Sequence, residues 1–426
     1  MELVQNILLT VLVFFVIVSI HEWGHFYFAK RAGILVREFA IGFGPKLFSL
    51  KKGETRYTLR LIPAGGFVRM AGEDPELVEV QPGQTIAVRL EGNQVTKIYL
   101  DRLDERSNVI RGEVEAIDLE KTLKLSLNIE GDQDHYDVHP QAMMITKGKE
   151  VQIAPLDRQF GSKTVGQRAL AIFAGPMMNF VLAFVLFAAY IQMAGVPIDP
   201  PQKVMVGEII PDRPASKANL KVDDEIKTIN GVEIGGDYNK MIELISSSPN
   251  VLMKWTVVRE GQLINLEITP IPDPDSDSGD GKVGIAPKFP TRSASFTETF
   301  KFAGQAMKNM TINIFEGFKM LIFGQFALDD LGGPVRTAEM TSEIASRGIA
   351  QLTSWTAILS LYLGIFNLLP FPALDGSRLI FLGVEALRGR PVDPNRESMV
   401  HFIGFAMLML LMIAVTYNDI LRLVRG

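Results

Sequence analysis

Cysteine is absent from all 426 residues, which excludes disulfide bonds and thiolate metal sites. A strong charge of either sign is missing as well: 43 Lys and Arg against 48 Asp and Glu leave a net charge of -5. No basic stripe stands out, so nucleic acid is not an expected partner. The N-terminal segment lacks both a basic n-region and a small-x-small cleavage site. Its apolar run is therefore expected to remain as a transmembrane segment, not to be removed as a signal peptide.

What the chain has in quantity is apolar surface. Hydrophobic residues make up 47% and the mean hydropathy is +0.18, values that suggest a membrane protein with attached soluble parts. A spanning helix needs roughly 20 mostly apolar residues. Four stretches qualify: 7–29, broken only by Glu22 and two histidines; 169–198, uncharged throughout; 348–374; and the shorter 401–418. Lys30, Arg31, Arg37, Lys46, Lys51, Lys52, Arg56 and Arg60 follow the first stretch, and no basic residue precedes it. By the positive-inside rule the first segment then runs from outside to inside. Counting spans puts 31–168 inside, 199–347 outside and 375–400 inside, with Arg422 and Arg425 outside against the rule.

Between the spans the patterning changes. Residues 75–165 alternate apolar and polar over short runs, with "TIAVRLEGNQVTKIYL" reading as a hairpin and "TLKLSLNIEG" as a further strand. "TRYTLRLIPAGGFVRMAGED" reads as two strands about a Pro-Ala-Gly-Gly turn. Residues 201–290 read as a compact α+β module, and "PASKANLKVDDEIKTINGVEI" resembles the turn-helix-strand stretch of PDZ domains. Such domains bind extended peptide by strand addition. The acidic "PDPDSDSGDGK" (272–282) reads as a surface loop. Apolar residues from Phe296 to Leu321 recur in steps of three and four, as on a core-facing helix or on one lying at the membrane surface.

The chemistry begins at His21-Glu22-Trp23-Gly24-His25, an H-E-x-x-H pattern. Residues i and i+4 share a helix face, so both imidazoles can reach one metal ion. Neutral imidazole suits zinc, and Glu22 is placed to take a proton from the attacking water. A charged residue at mid-helix costs roughly 2.5–3.5 kcal/mol on insertion scales, so an ionisable trio at this depth is a functional-site hypothesis. A third ligand is needed. His135 and His139 read as surface residues or a second site, and His401 as interfacial. Asp375, at the inner end of the third span, is the better candidate; its plain alternative is a turn aspartate before Gly376.

With these residues in hand the chain resembles the site-2 protease family of intramembrane zinc metalloproteases, specifically the bacterial members with a single PDZ domain. The matching pieces are "HEWGH", "GFGP", "RLIPAGGFVRMAGED", "GPMMN", the PDZ stretch, "GGPV" and "NLLPFPALDG", in order and over most of the chain. The 75–165 insert with "VQIAPLDRQFGSKTVGQR" looks like the Gram-positive branch, which cleaves anti-sigma factors. The resemblance implies one zinc ion held by His21, His25 and Asp375, with Glu22 as general base. It implies substrate contacts at Asn367, Pro370 and Pro372, and strand pairing with a substrate along Gly65, Gly66 and Phe67. Asn179 faces the site or packs between spans. Ser377 stands where Asp-Gly-Gly is the commoner ending.

The expected architecture is an α-helical multi-pass membrane protein with four transmembrane helices, a membrane-associated β-hairpin, a cytosolic β-rich insert and an extracytoplasmic α+β PDZ domain. Its segments are 1–30, the first helix with the histidine motif; 31–74, the hairpin region; 75–167, the insert; and 168–198, the second helix. Then follow 201–290, the PDZ domain; 291–347, amphipathic helices; 348–376, the third helix; and 398–420, the fourth. Expected partners are single-span membrane substrates, the lipid bilayer and a peptide for the PDZ domain. The expected activity is cleavage within transmembrane segments after prior trimming outside. Two rivals are a membrane scaffold with a vestigial metal motif and a zinc transporter.

Overall fold

The computed structural model describes residues 2–73, 80–198, 202–273, 279–323 and 332–425. Its helices are α1 (Glu2–Arg31), α2 (Val165–Ala194), α3 (Pro214–Lys217), α4 (Tyr238–Ser246), α5 (Phe296–Ile322), α6 (Pro334–Ser346), α7 (Ile349–Asn367), α8 (Asp375–Arg388) and α9 (Pro394–Arg425). Among the described residues, four stretches are long and apolar enough to cross a membrane: Val4–Arg31, Val165–Ala194, Ile349–Asn367 and Arg396–Arg422. The third ends at Asn367, seven residues short of the apolar run in the sequence. Pro370 and Pro372 explain the stop, since proline lacks a backbone N–H and pushes the residue before it out of the helical region.

The chain divides into two compact units, Met1–Phe187 with Ala306–Gly426, and Ala188–Gln305. In the first unit α1 leads into β1 (Val36–Lys52) and β2 (Thr55–Met70). The pairing here corrects the expected hairpin about the Pro-Ala-Gly-Gly stretch. Glu38, Phe39, Ala40 and Ile41 face Arg56, Tyr57, Thr58 and Leu59 on one side, and Arg69, Val68, Phe67 and Gly66 on the other. The two runs of β2 thus flank the start of β1 and do not pair with each other. The reason lies in burial: 36–41 is the most enclosed part of the sheet, and its backbone groups need partners on both edges. A local hairpin would have left one edge of it unsatisfied.

The insert folds as β3 (Thr85–Glu91), β4 (Gln94–Tyr99), β5 (Ile110–Asp118), β6 (Lys124–Ile129), β7 (Asp132–Thr146) and β8 (Lys149–Gln152). The hairpin and the further strand read from the sequence are β3–β4 and β6. The long β7 pairs with β6 through its first half and with β8 and β4 through its second. The β4–β7 pairing closes the sheet into a small barrel, which removes most exposed strand edges. Ile86, Val88, Val95, Ile98, Leu125 and Leu127 fill its core. Glu54, in the β1–β2 turn, accepts two hydrogen bonds from Arg158 at 2.7 and 2.9 Å and one from Gln152 at 3.0 Å. The Arg158 contacts outweigh burial and pull the Glu54 carboxyl down to about 2.

The second unit is a sheet with strand order 262–268, 253–259, 225–229, 204–209, 285–288, a short strand at 232–233, and α3 and α4. Trp255, Ile226, Ile229, Met241 and Met253 lie in its core. Asp224, fully buried, is held by Arg259 at 2.7 Å through two guanidinium nitrogens. Of the acidic 272–282 stretch, residues 274–278 lie outside the described residues, and its ends pair as 271–272 with 281–282.

Candidate metal centre

α1 carries His21 and His25 on one face, one turn apart. Their Nε2 atoms lie 3.2 Å from each other with the rings edge to face. Asp375 is the first residue of α8, where a carboxylate is favoured by the helix dipole. Its Oδ2 comes to 3.4 Å from both Nε2 atoms. Tetrahedral zinc with bonds of about 2.0–2.1 Å spaces its ligand atoms about 3.3 Å apart. The triangle found here has that edge length.

The tautomers agree. His25 Nδ1 lies 2.9 Å from the Ala171 carbonyl, which can only accept, so Nδ1 carries the proton and Nε2 presents its lone pair inward. His21 Nδ1 faces the Asn179 side-chain amide at 3.2 Å, while Asn179 Oδ1 is buried with no hydrogen-bond partner. Amide oxygen and nitrogen are interchangeable by a half-turn. With the oxygen toward His21, Nδ1–H donates to it and Nε2 is again free for a metal. Asp375 Oδ2 is also buried without a hydrogen-bond partner. Three lone-pair donors converging in a buried place, one of them anionic, fit a zinc ion.

Glu22 is buried beside this triangle but outside it. Its wall is Gly66: a Cβ there would fall 2.7 Å from Glu22 Cγ and 2.6 Å from the Ala40 carbonyl oxygen. The sheet edge at 66–70 therefore runs directly past Glu22. α1 and α2 also meet closely. A Cβ on Gly24 would fall 2.3 Å from the Ala174 oxygen, and one on Gly175 would fall 2.2 Å from His25 Nε2. Ser360 of α7 donates to the Asn179 carbonyl at 3.0 Å, tying three helices together behind His21.

α8 is fastened along one stripe. Asp375, Arg378, Leu382 and Glu385 follow steps of three, four and three, which place them on one helix face. Arg378 pairs with Glu73, just beyond β2. Glu385 takes a bidentate contact from Arg168 in the first turn of α2, with one arm at 3.0 Å, and both side chains are largely buried. Spacing along the chain already puts Asp375, Arg378 and Glu385 on one helix face, at steps of three and seven, but does not show their partners Glu73 and Arg168.

The remaining expected residues are placed as follows. Asn367 closes α7, and its amide donates to the Leu363 carbonyl at 3.0 Å. Pro370 is exposed, and Pro372 packs on Gly404 of α9. Gly65 sits at φ +104° against the Phe43 ring, and the Arg60 and Arg69 guanidinium groups lie 5.0 and 5.5 Å from the Phe67 ring centroid. His135 contacts Ser126 at 2.8 Å on the barrel surface, and among the described residues it joins no metal-binding group. His401 accepts a hydrogen bond from the Ala373 N–H at 3.0 Å.

Compared with known families, residues 9–411 match peptidase family M50. The chain is similar to the zinc metalloprotease RasP of Geobacillus kaustophilus, 44% identical over 421 residues and 98% of each chain. It is 42% identical over 422 residues to the protein of that name from Oceanobacillus iheyensis, covering 97% of this chain and 98% of that one. It is 41% identical over 424 residues to the regulator of sigma-W protease RasP of Bacillus subtilis, covering 99% of each. A solved PDZ domain of an SdrC-like protein from Listeria monocytogenes is 20% identical and covers 22% of this chain and 93% of that one. Its TM-score of 0.19 is too low to carry an argument.

Proposed function

The chain belongs to peptidase family M50, the site-2 zinc metalloproteases, and on that premise we propose which residues cut and what is cut. It is an intramembrane zinc metalloprotease, with His21, His25 and Asp375 holding the ion and Glu22 acting as base. The observation that carries this assignment is the 3.2–3.4 Å triangle of Nε2, Nε2 and Oδ2, with Glu22 beside it and outside it.

Zinc bound there supplies Lewis-acid polarisation of the scissile carbonyl and makes water easier to deprotonate. Glu22 takes the proton of the attacking water and delivers it to the departing amine. His25 and His21 are kept in the ligating tautomer by Ala171 and Asn179. A helical substrate hides its carbonyls in i to i+4 hydrogen bonds and must be unwound first. The edge at Gly66–Met70 offers it backbone partners, and Gly66 lets a strand run past Glu22 without a side chain in the way. Asn367, Pro370 and Pro372 line the irregular stretch ending in Asp375, where substrate contact is expected.

The substrates are single-span membrane proteins, and the name of the Bacillus subtilis relative, a regulator of sigma-W protease, supports anti-sigma factors among them. The basic residues after α1 put the metal centre and the barrel insert toward the cytosol, with 199–347 outside. The 201–290 module acts there as a PDZ domain, restricting entry to substrates already trimmed. Co-expression with tagged single-span proteins tests the reading. Glu22→Gln should retain zinc yet lose cleavage by about 10³-fold; full processing by that variant would sink it.

A further inference from the structure

α9 meets the turn that precedes Asp375 through His401, and we propose that His401 is a positioning residue that holds the Asp375 carboxylate in the ligand triangle. The inference rests on Asp375 being the third ligand. It starts from the backbone two residues earlier. Ala373 sits at φ +77°, in the left-handed region where a Cβ is strained. Such a conformation persists only where the surroundings over-determine it. Within the turn, Leu374 N–H bonds to the Phe371 carbonyl, and Ser377 bonds through N–H and Oγ to the Leu374 carbonyl. The Ala373 N–H instead leaves the turn and donates to His401 Nδ1 at 3.0 Å.

The rest of the contact is built around that bond. His401 and Gly404 are three residues apart on α9 and share a face. A Cβ on Gly404 would fall 2.2 Å from Pro372 Cβ and 2.6 Å from the Pro372 oxygen, so the helix backbone lies against the loop. The Phe381 ring of α8 lies 5.7 Å from the imidazole, centroid to centroid. Because Nδ1 receives an N–H, the ring proton sits on Nε2, on the side of the Glu397 carboxylate 3.7 Å away. The imidazole is thus an acceptor set in one tautomer against a strained turn. Releasing that N–H lets Ala373 relax to negative φ, which redirects the chain into α8 and moves Asp375 away from His21 and His25.

Three variants separate an acceptor from mere bulk. His401→Asn places an amide oxygen near the Nδ1 position, His401→Gln places its polar end near the Nε2 position, and His401→Leu offers no acceptor. Zinc affinity of the purified full chain in detergent should fall about 10–100-fold in the Leu and Gln variants and return close to wild type in Asn. The visible ligand-field bands of the cobalt-substituted protein should shift in the first two and recover in the third. Equal zinc affinity and cobalt spectra in the Leu variant and wild type would overturn the proposal, as would Asn behaving like Gln. Should the Leu variant fail to elute as a single species, the Asn and Gln pair decides alone. Asp375→Ala, measured alongside, keeps the two readings apart: full zinc retention there refutes the ligand assignment itself.

Discussion

In the barrel, Ile86, Val88, Val95, Ile98, Leu125 and Leu127 are withdrawn from solvent and the strand ladder closes on itself. Around His21, His25 and Asp375 apolar packing between the helices is supplemented by polar ties across elements: Arg168 to Glu385, Arg378 to Glu73, His25 to the Ala171 carbonyl, Asn179 to His21. Glycines at 24 and 175 let the helix backbones approach closely. The difference follows from the solvent each region replaces. Burying apolar surface is driven by water, so it organises the barrel. Lipid is as apolar as leucine, so helices in it associate through close packing and polar contacts. A site made of charged and ligating groups can be assembled from the same contacts that hold its helices.

The largest effect expected from breaking that contrast is in the barrel. Leu125→Ala should cost about 2–5 kcal/mol of barrel stability by leaving a cavity. Amide exchange within β3–β7 should accelerate while zinc stoichiometry stays at one per chain. Zinc loss in this variant would mean the two regions are not independent. Next is Arg168→Ala, which strands a buried Glu385 and should destabilise the helical region by about 3 kcal/mol in thermal unfolding. Replacing both partners, Arg168→Met with Glu385→Leu, should recover most of it; no recovery would argue that the pair does more than neutralise itself. The smallest is Asn179→Leu, expected to weaken zinc binding about 10–100-fold, with Asn179→Asp recovering most of the affinity because it keeps the acceptor for His21 Nδ1. Equal zinc affinities in the two variants would remove Asn179 from the ligand's support.

Much of this was readable beforehand for physical reasons. The 3.6-residue period makes His21 and His25 neighbours without any tertiary knowledge. Apolar length marked α1, α2, α7 and α9, and alternation marked β3, β4 and β6. Pairing between distant segments was less accessible: 55–62 and 66–70 looked like a hairpin because they are adjacent in sequence. The need of 36–41 for two partners decided otherwise. α8 was not anticipated, and with it went the Arg378 and Glu385 contacts. The His401 contact was not legible either, because a histidine at the start of an apolar run gives no sign of where its ring points.

By itself, then, the sequence determined the local things: spans, the two-histidine helix face, the glutamate between the histidines, and the breaking of the third helix at its prolines. All of these depend on spacing along the chain or on a residue's own backbone preference. Only the tertiary structure decided what closes on that face. Asp375 lies 350 residues beyond His25 and meets it through the placement of α8. The histidine tautomers depend on Ala171 and Asn179 of another helix, and the strained turn at Ala373 leans on a ring from α9. Ligand distances of a few ångströms between such remote positions are set by packing and hydrogen bonding together, and no periodicity in the chain encodes them.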